Sequence, residues 1–117
     1  MDFEKRGFNW SWFLTHWFEE YKNAKQSDLD VMKVRAANLP PIEHFAIMVN
    51  DKVTAIGCAA LVYDFNYYTF NLIIVCNYNS ANIAQKPVYT KGGKCSKCKK
   101  GCSKIYPGLC NAGEVVV

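Results

Sequence analysis

The sequence predicts an α+β fold with two helices, one antiparallel β-hairpin and a cysteine-rich C-terminal extension. Three observations predict it. Apolar residues recur at helical spacing early in the chain, two β-rich runs flank a turn in its middle, and four of six cysteines crowd a glycine-rich end. At 117 residues the chain is one domain or less. A chain of this size buries only about two thirds of its unfolded surface, so covalent cross-links weigh heavily in its stability. Half of the residues are apolar and 15% are aromatic, a composition that excludes a disordered chain.

Residues 10–25 read as the first helix. Trp10, Phe13, Leu14, Trp17, Phe18 and Tyr21 recur three and four residues apart, with Glu19, Glu20, Lys22 and Lys25 mostly off that stripe. The stripe has three readings: core packing against the hairpin, a lipid or small-molecule pocket lined by Trp10, Trp12 and Trp17, or an interfacial helix, for which its charged face is thin. Residues 26–40 are a weaker segment with helical tendency near Asp28–Val34. Pro40-Pro41 breaks it, and Pro41 suits the first position of a helix. Residues 41–50 read as the second helix, with Ile42, Phe45, Ala46 and Val49 on one face and Asn50-Asp51 as its stop.

The hairpin follows. Val53–Tyr63 and Tyr68–Tyr78 are rich in Val, Ile, Tyr and Phe, the residues that suit a pleated surface, and Asp64–Tyr67 is the turn between them. Cys58 and Cys76 fall near the middle of each strand. In a register that sets them opposite each other they lie within disulfide reach, and closing that loop is worth roughly 3 kcal/mol in the chain-entropy model. Beyond Asn79 the chain becomes loop-like. Gly92-Gly93, Gly101, Pro107-Gly108 and Cys95, Cys98, Cys102 and Cys110 mark a small extension with too few apolar residues to fold without its bridges. These features divide the chain into residues 1–90 and a stapled tail, 91–117.

The tail cysteines carry two chemistries. A dense, even set of six in a short chain points to disulfides and an oxidising, extracellular compartment. A zinc-thiolate interaction module on Cys95, Cys98, Cys102 and Cys110 is the alternative, although the second pair does not repeat the knuckle spacing of the first and Cys58 and Cys76 stay outside it. Met1–Gly7 is mixed in charge, and the apolar stretch after it is interrupted, so no signal peptide is legible. A secreted chain is expected to carry one upstream of Met1. No run approaches the roughly 20 apolar residues of a membrane span.

The net charge is +4, and Lys91, Lys94, Lys97, Lys99, Lys100 and Lys104 concentrate it in the tail. That cluster reads either as a solvated face or as a site for phosphate, heparin or anionic lipid. Arginine is confined to Arg6 and Arg35, which leaves little for bidentate readout of nucleic-acid bases. Asn9-Trp10-Ser11 is a glycosylation sequon.

Six short stretches, in order, carry a family resemblance. Trp17-Phe18-Glu19-Glu20, Glu43-His44-Phe45-Ala46-Ile47-Met48-Val49-Asn50, Ile56-Gly57-Cys58, Val75-Cys76-Asn77-Tyr78-Asn79-Ser80-Ala81-Asn82-Ile83 and, near the end, Pro87-Val88-Tyr89 with Tyr106-Pro107-Gly108-Leu109-Cys110 resemble the cysteine-rich secretory protein, antigen 5 and pathogenesis-related (CAP, SCP-like) superfamily, in its insect antigen 5-like branch. The likeness covers about residues 10–112. It departs where an aromatic gives way to Asn50, and where one residue, a glycine before Asn82, is missing. The resemblance implies a truncated α-β-α sandwich whose N-terminal half is absent. It also implies an uncovered apolar sheet face prone to self-association.

The resemblance further implies that Glu20 and His44 match two of the four His and Glu positions that often hold a divalent metal such as zinc in this family. Two ligands make a weak, incomplete set, and a hydrogen-bonded pair orienting two helices is the other reading. His16, one turn before Glu20, could face the same way but matches no family position. A resident cofactor is not expected. No helical H-E-x-x-H and no G-x-S-x-G elbow is present, and bridged cysteines offer no thiolate nucleophile. The expected function is that of a secreted, non-enzymatic venom allergen-like protein binding a small apolar ligand or a partner protein. A metal-dependent hydrolase using Glu20 and His44 is the alternative.

Overall fold

The structure, a computed structural model, describes residues 9–33, 35–63, 66 and 71–114. Its elements are α1 (Trp10–Phe18), a 3₁₀ turn (Glu19–Asn23), α2 (Gln26–Asp30), α3 (Glu43–Met48), β1 (Ile56–Tyr63) and β2 (Asn71–Tyr78). Among the described residues, three α-helices and a two-stranded antiparallel sheet make an α+β fold with three disulfides.

Asn9 starts α1. Its side chain accepts the Ser11 amide at 2.8 Å, satisfying one of the first-turn donors that have no helical acceptor. The helix ends at Phe18 and tightens into the 3₁₀ turn, short of the expected residue 25. At α2, Asp28 reaches back to the Lys25 amide at 2.8 Å, as a third helical residue does in a capping box. This helix lies in the segment read as weakest. Pro41 sits before the Ile42 N-cap of α3 and not at its first turn.

The core is small and lies where the sequence signal was faint. Leu29 and Met32 from the α2 segment meet Phe45 and Ala46 of α3 and Val88 from a distant loop, with Ala24, Val49 and Tyr89 around them. Backbone hydrogen bonds hold that loop in place. Val88 N donates to Leu29 O at 2.8 Å, Met32 N to Lys86 O at 2.9 Å and Gln85 N to Met32 O at 2.7 Å. The first-helix stripe contributes less than its pattern suggests. No α1 residue is fully buried, and the helix packs against α3 and the 3₁₀ turn.

The hairpin adopts the expected register, with Cys58 opposite Cys76 and bridged to it. The turn Asp64–Tyr67 and the strand start at 68–70 lie outside the described residues, except Asn66. Asn79 extends the ladder past the strand. Its side-chain carbonyl accepts the Thr54 and Ala55 amides at 2.9 and 3.1 Å. Asn50 is buried and donates to Asn82 Oδ1 at 3.0 Å. No residue of either strand is buried, and Leu61, Tyr63, Ile73 and Val75 stand exposed on one face. The radius of gyration, 16.9 Å, exceeds the about 13 Å of a compact chain this long, as fits a hairpin that is not wrapped into the core.

Two bridges staple the tail, Cys95–Cys102 and Cys98–Cys110. The buried Glu114 turns inward and accepts the backbone amides of Lys99 and Lys100, the latter at 2.9 Å. Those two hydrogen bonds, Lys99 first, hold its carboxyl below the ordinary glutamate value. A depressed carboxyl adds stability above its unfolded value and loses it as pH falls through the folded one. The Lys99 and Lys100 amide shifts are therefore expected to titrate together, with a midpoint on the acid side of an unperturbed glutamate. Glu114→Gln should abolish that titration. An NMR acid titration checks it, and a midpoint at or above the ordinary value contradicts the cap.

Candidate functional site: a buried carboxylate and an apolar cleft

Glu20 lies in the 3₁₀ turn after α1 and is only 9% exposed. A carboxylate so placed needs partners for both oxygens. Oε2 is 2.7 Å from His44 Nδ1, and Oε1 accepts the Phe45 amide at 3.1 Å. Phe45 is the third residue of α3, whose N-cap Ile42 supplies no side-chain acceptor. Glu20 thus does from another element what Ser, Thr, Asp or Asn does at a local N-cap. Glu43 completes the helix start by accepting the Ile42 amide at 3.0 Å.

This bond fixes the imidazole. A carboxylate oxygen accepts, so the imidazole donates from Nδ1, and Nε2 is the ring nitrogen turned away from Glu20. The ring also lies flat on Trp17, with centroids 4.9 Å apart and planes within 4°. Trp17 and His44 form one wall of a cleft of about 230 Å³ whose other lining residues are Ile47 of α3 and Ile74, Val75, Cys76 and Tyr78 of β2. Burial pushes the Tyr78 phenol above its ordinary value, so it faces the cleft uncharged. The volume lies just under the roughly 300 Å³ at which drug-sized sites begin, enough for a small apolar molecule or one end of a larger one.

The expected site residues meet as a pair. Glu20 spends both oxygens on protein donors, leaving His44 Nε2 as the pair's available donor atom. Among the described residues no third His, Cys, Asp or Glu groups with these two at ligand distance. By itself the pair is an incomplete ligand set for zinc. His16 does not join it. It stacks on Trp12 at 5.2 Å and shares a separate groove with Asn9, Ser11, Thr15 and Glu19, while Trp17 takes the place beside His44. Of the three tryptophans, Trp17 lines the cleft. The zinc-thiolate alternative for the tail is corrected outright: Cys95, Cys98, Cys102 and Cys110 are all bridged, and no thiolate remains. Cys98 and Cys110 do cluster with Glu114, but their sulfurs are bonded to each other. Ile47, Ile74 and Tyr78 escaped the sequence reading. Helical spacing from His44 and strand alternation through Cys76 place them on the same faces, so the signal was present.

A family model described as the cysteine-rich secretory protein family matches residues 5–78. The chain belongs to this family. Glu20, His44 and every cleft-lining residue fall inside the match, and the tail lies beyond it. Among curated relatives, venom allergen-1 of Aedes albopictus is 36% identical over 104 residues, which is 89% of this chain and 40% of the relative. Scoloptoxin SSD976 of Scolopendra dehaani is 35% identical over 97 residues, 81% of this chain and 42% of the relative. Tabinhibitin 4 of Tabanus yao is 28% identical over 102 residues, 86% of this chain and 39% of the relative. The chain spans about two fifths of the length of these relatives.

Removing the imidazole tests the pair. His44→Ala leaves a buried carboxylate oxygen unmatched and is expected to cost roughly 1–3 kcal/mol. His44→Phe keeps a ring on Trp17 without the hydrogen bond and should recover only part of that loss. Denaturant unfolding without reductant measures both. A His44→Ala chain as stable as wild type contradicts the pairing.

Proposed function

We propose that this chain is part of a secreted, non-enzymatic venom allergen-like protein of the cysteine-rich secretory family, and that its cleft takes a small apolar ligand. One observation carries the reading. Trp17, Ile47, Ile74, Val75 and the bridged Cys76 line a mainly apolar concavity, into which the described residues bring the His44 imidazole and an uncharged Tyr78 phenol as polar tips. Such walls favour hydrocarbon, with the two polar tips free to orient one hydroxyl or carboxyl end. Three disulfides fit an oxidising compartment, and relatives named as venom allergens and scoloptoxins fit secretion.

The lining favours binding over catalysis. The Cys76 sulfur is bridged, Glu20 is committed to His44 and Phe45, and Glu43 to the Ile42 amide. A general base needs a nucleophile or a water it can reach with a substrate in place, and among the described residues the lining supplies no free thiol or serine. Hydrolysis by Glu20 and His44 is the weaker reading for that reason.

Titration of the oxidised chain with a fluorescent long-chain fatty acid, and separately with a sterol, tests the proposal. Saturable binding of one of them is expected, and Ile47→Asp should weaken it at least about tenfold by setting a carboxylate against hydrocarbon. Unchanged affinity in the folded variant, or no saturable binding of either class, overturns it.

A further inference from the structure

The tail carries a second surface of different character. Ile105, Tyr106 and Leu109 are 78%, 66% and 62% exposed, and they sit together in the loop between Cys102 and Cys110. Exposed apolar side chains are ordinary when scattered. Three within five residues on a tip that is already ordered are not scattered.

The order comes from the stem. Cys95–Cys102 and Cys98–Cys110 anchor both ends of the loop. Ser103 N donates to Leu109 O at 2.7 Å and Leu109 N to Tyr106 O at 3.0 Å. Ser103 Oγ accepts the Ile105 and Tyr106 amides at 3.2 and 3.0 Å. Gly108 makes the reversal at φ +105°, a conformation that glycine adopts without strain. The amides of all three apolar residues are thus satisfied within the loop, which lowers the cost of carrying them out of water.

Charge surrounds this tip. Lys104 adjoins Ile105, and the Lys94 stem runs beside Gly108, its Cε 3.6 Å from where a Cβ there would lie. Lys97, Lys99 and Lys100 belong to the same cross-linked unit. The one acidic residue among 91–114, Glu114, is turned onto the Lys99 and Lys100 amides and buried. Within residues 94–110 the outward face is therefore basic, while Lys91 is paired with Asp30 at 2.9 Å and Asp51 borders the groove beside Lys97 and Gly108.

We propose that residues 94–110 dock on a bilayer containing anionic lipid, with Ile105, Tyr106 and Leu109 entering the interface and Lys94 and Lys104 meeting the headgroups. A tyrosine suits that depth because its ring is apolar and its hydroxyl stays wet. Lysines flank it with stems in the apolar layer and ammonium groups in the charged one. A soluble polyanion would satisfy the lysines and leave the apolar tip in water, so the tip decides for the membrane. This surface is separate from the cleft and does not depend on the ligand proposed for it.

Vesicle co-sedimentation of the full oxidised chain tests the proposal, using phosphatidylcholine alone and with about one third phosphatidylserine. Binding is expected on the anionic vesicles and not on phosphatidylcholine. Lys94→Gln with Lys104→Gln should weaken it by roughly twenty-five-fold, about fivefold for each lysine charge removed. Ile105→Ser with Leu109→Ser, which leaves the charge of the collar unchanged, should weaken it at least about tenfold. All four positions are exposed, and intact mass under non-reducing conditions checks that both tail bridges have formed. Ile47→Asp should bind vesicles like wild type, which keeps failure of the cleft separate from failure here. Absence of vesicle binding, equal binding to neutral vesicles, or undiminished binding by the tip variant would each overturn the proposal. The last result, together with tight heparin binding, would make the tail a simple polyanion site.

Discussion

The Glu20 carboxylate is the joint on which the helical part of this protein turns. It is buried, it belongs to the 3₁₀ turn, and both its oxygens are spent on α3: one on the Phe45 amide, the other on the His44 ring. Charge burial is costly unless every lone pair finds a donor, so the arrangement holds only while α1 and α3 keep their present relation. The same joint sets the site. With Nδ1 held by Glu20, the His44 ring can lie flat on Trp17 and close one wall of the cleft. The core below, Leu29, Met32, Phe45, Ala46 and Val88, supports that joint from the opposite side of α3.

The hairpin answers to a different constraint. Ile56–Tyr63 and Asn71–Tyr78 contain no charged residue, and apolar residues occur on both faces. Strands of that kind are usually covered twice, and natural edges are usually defended by charges or proline. Here one face borders the cleft and the other is open to solvent. The Cys58–Cys76 bridge holds the register whatever covers the strands, which suits a hairpin that contributes walls to a site more than side chains to a core.

Much of this was legible in the residues, for local reasons. Strand alternation and two mid-strand cysteines were enough to place Cys58 opposite Cys76, because a disulfide leaves few registers open. The stripe from Trp10 to Tyr21 announced a helix, but not that it ends at Phe18, since the change to 3₁₀ geometry comes where Glu20 turns toward a helix more than twenty residues away. α2 was faint because five residues carry too little periodicity. Its burial depends on Val88, which pairs with Leu29 only in the folded chain. His16 and Trp17 show the same limit: adjacent on one helix, they point to different grooves, and only the docking of α3 decides which of them meets His44. In the tail, spacing left disulfides and zinc both open, and the pairing of all four cysteines closed the question.

The account stands most directly on the hydrogen bond between Glu20 and the Phe45 amide. Residue-resolved hydrogen exchange on wild type and Glu20→Ala measures it, with the Asn79 amide, bonded to Ala55 O in the hairpin, as an internal reference. The account requires the Phe45 amide to be protected in wild type, and its protection to fall by about tenfold or more in the variant while Asn79 is unchanged. Equal protection of Phe45 in the two proteins would contradict it, because α3 would then be held by something other than this carboxylate.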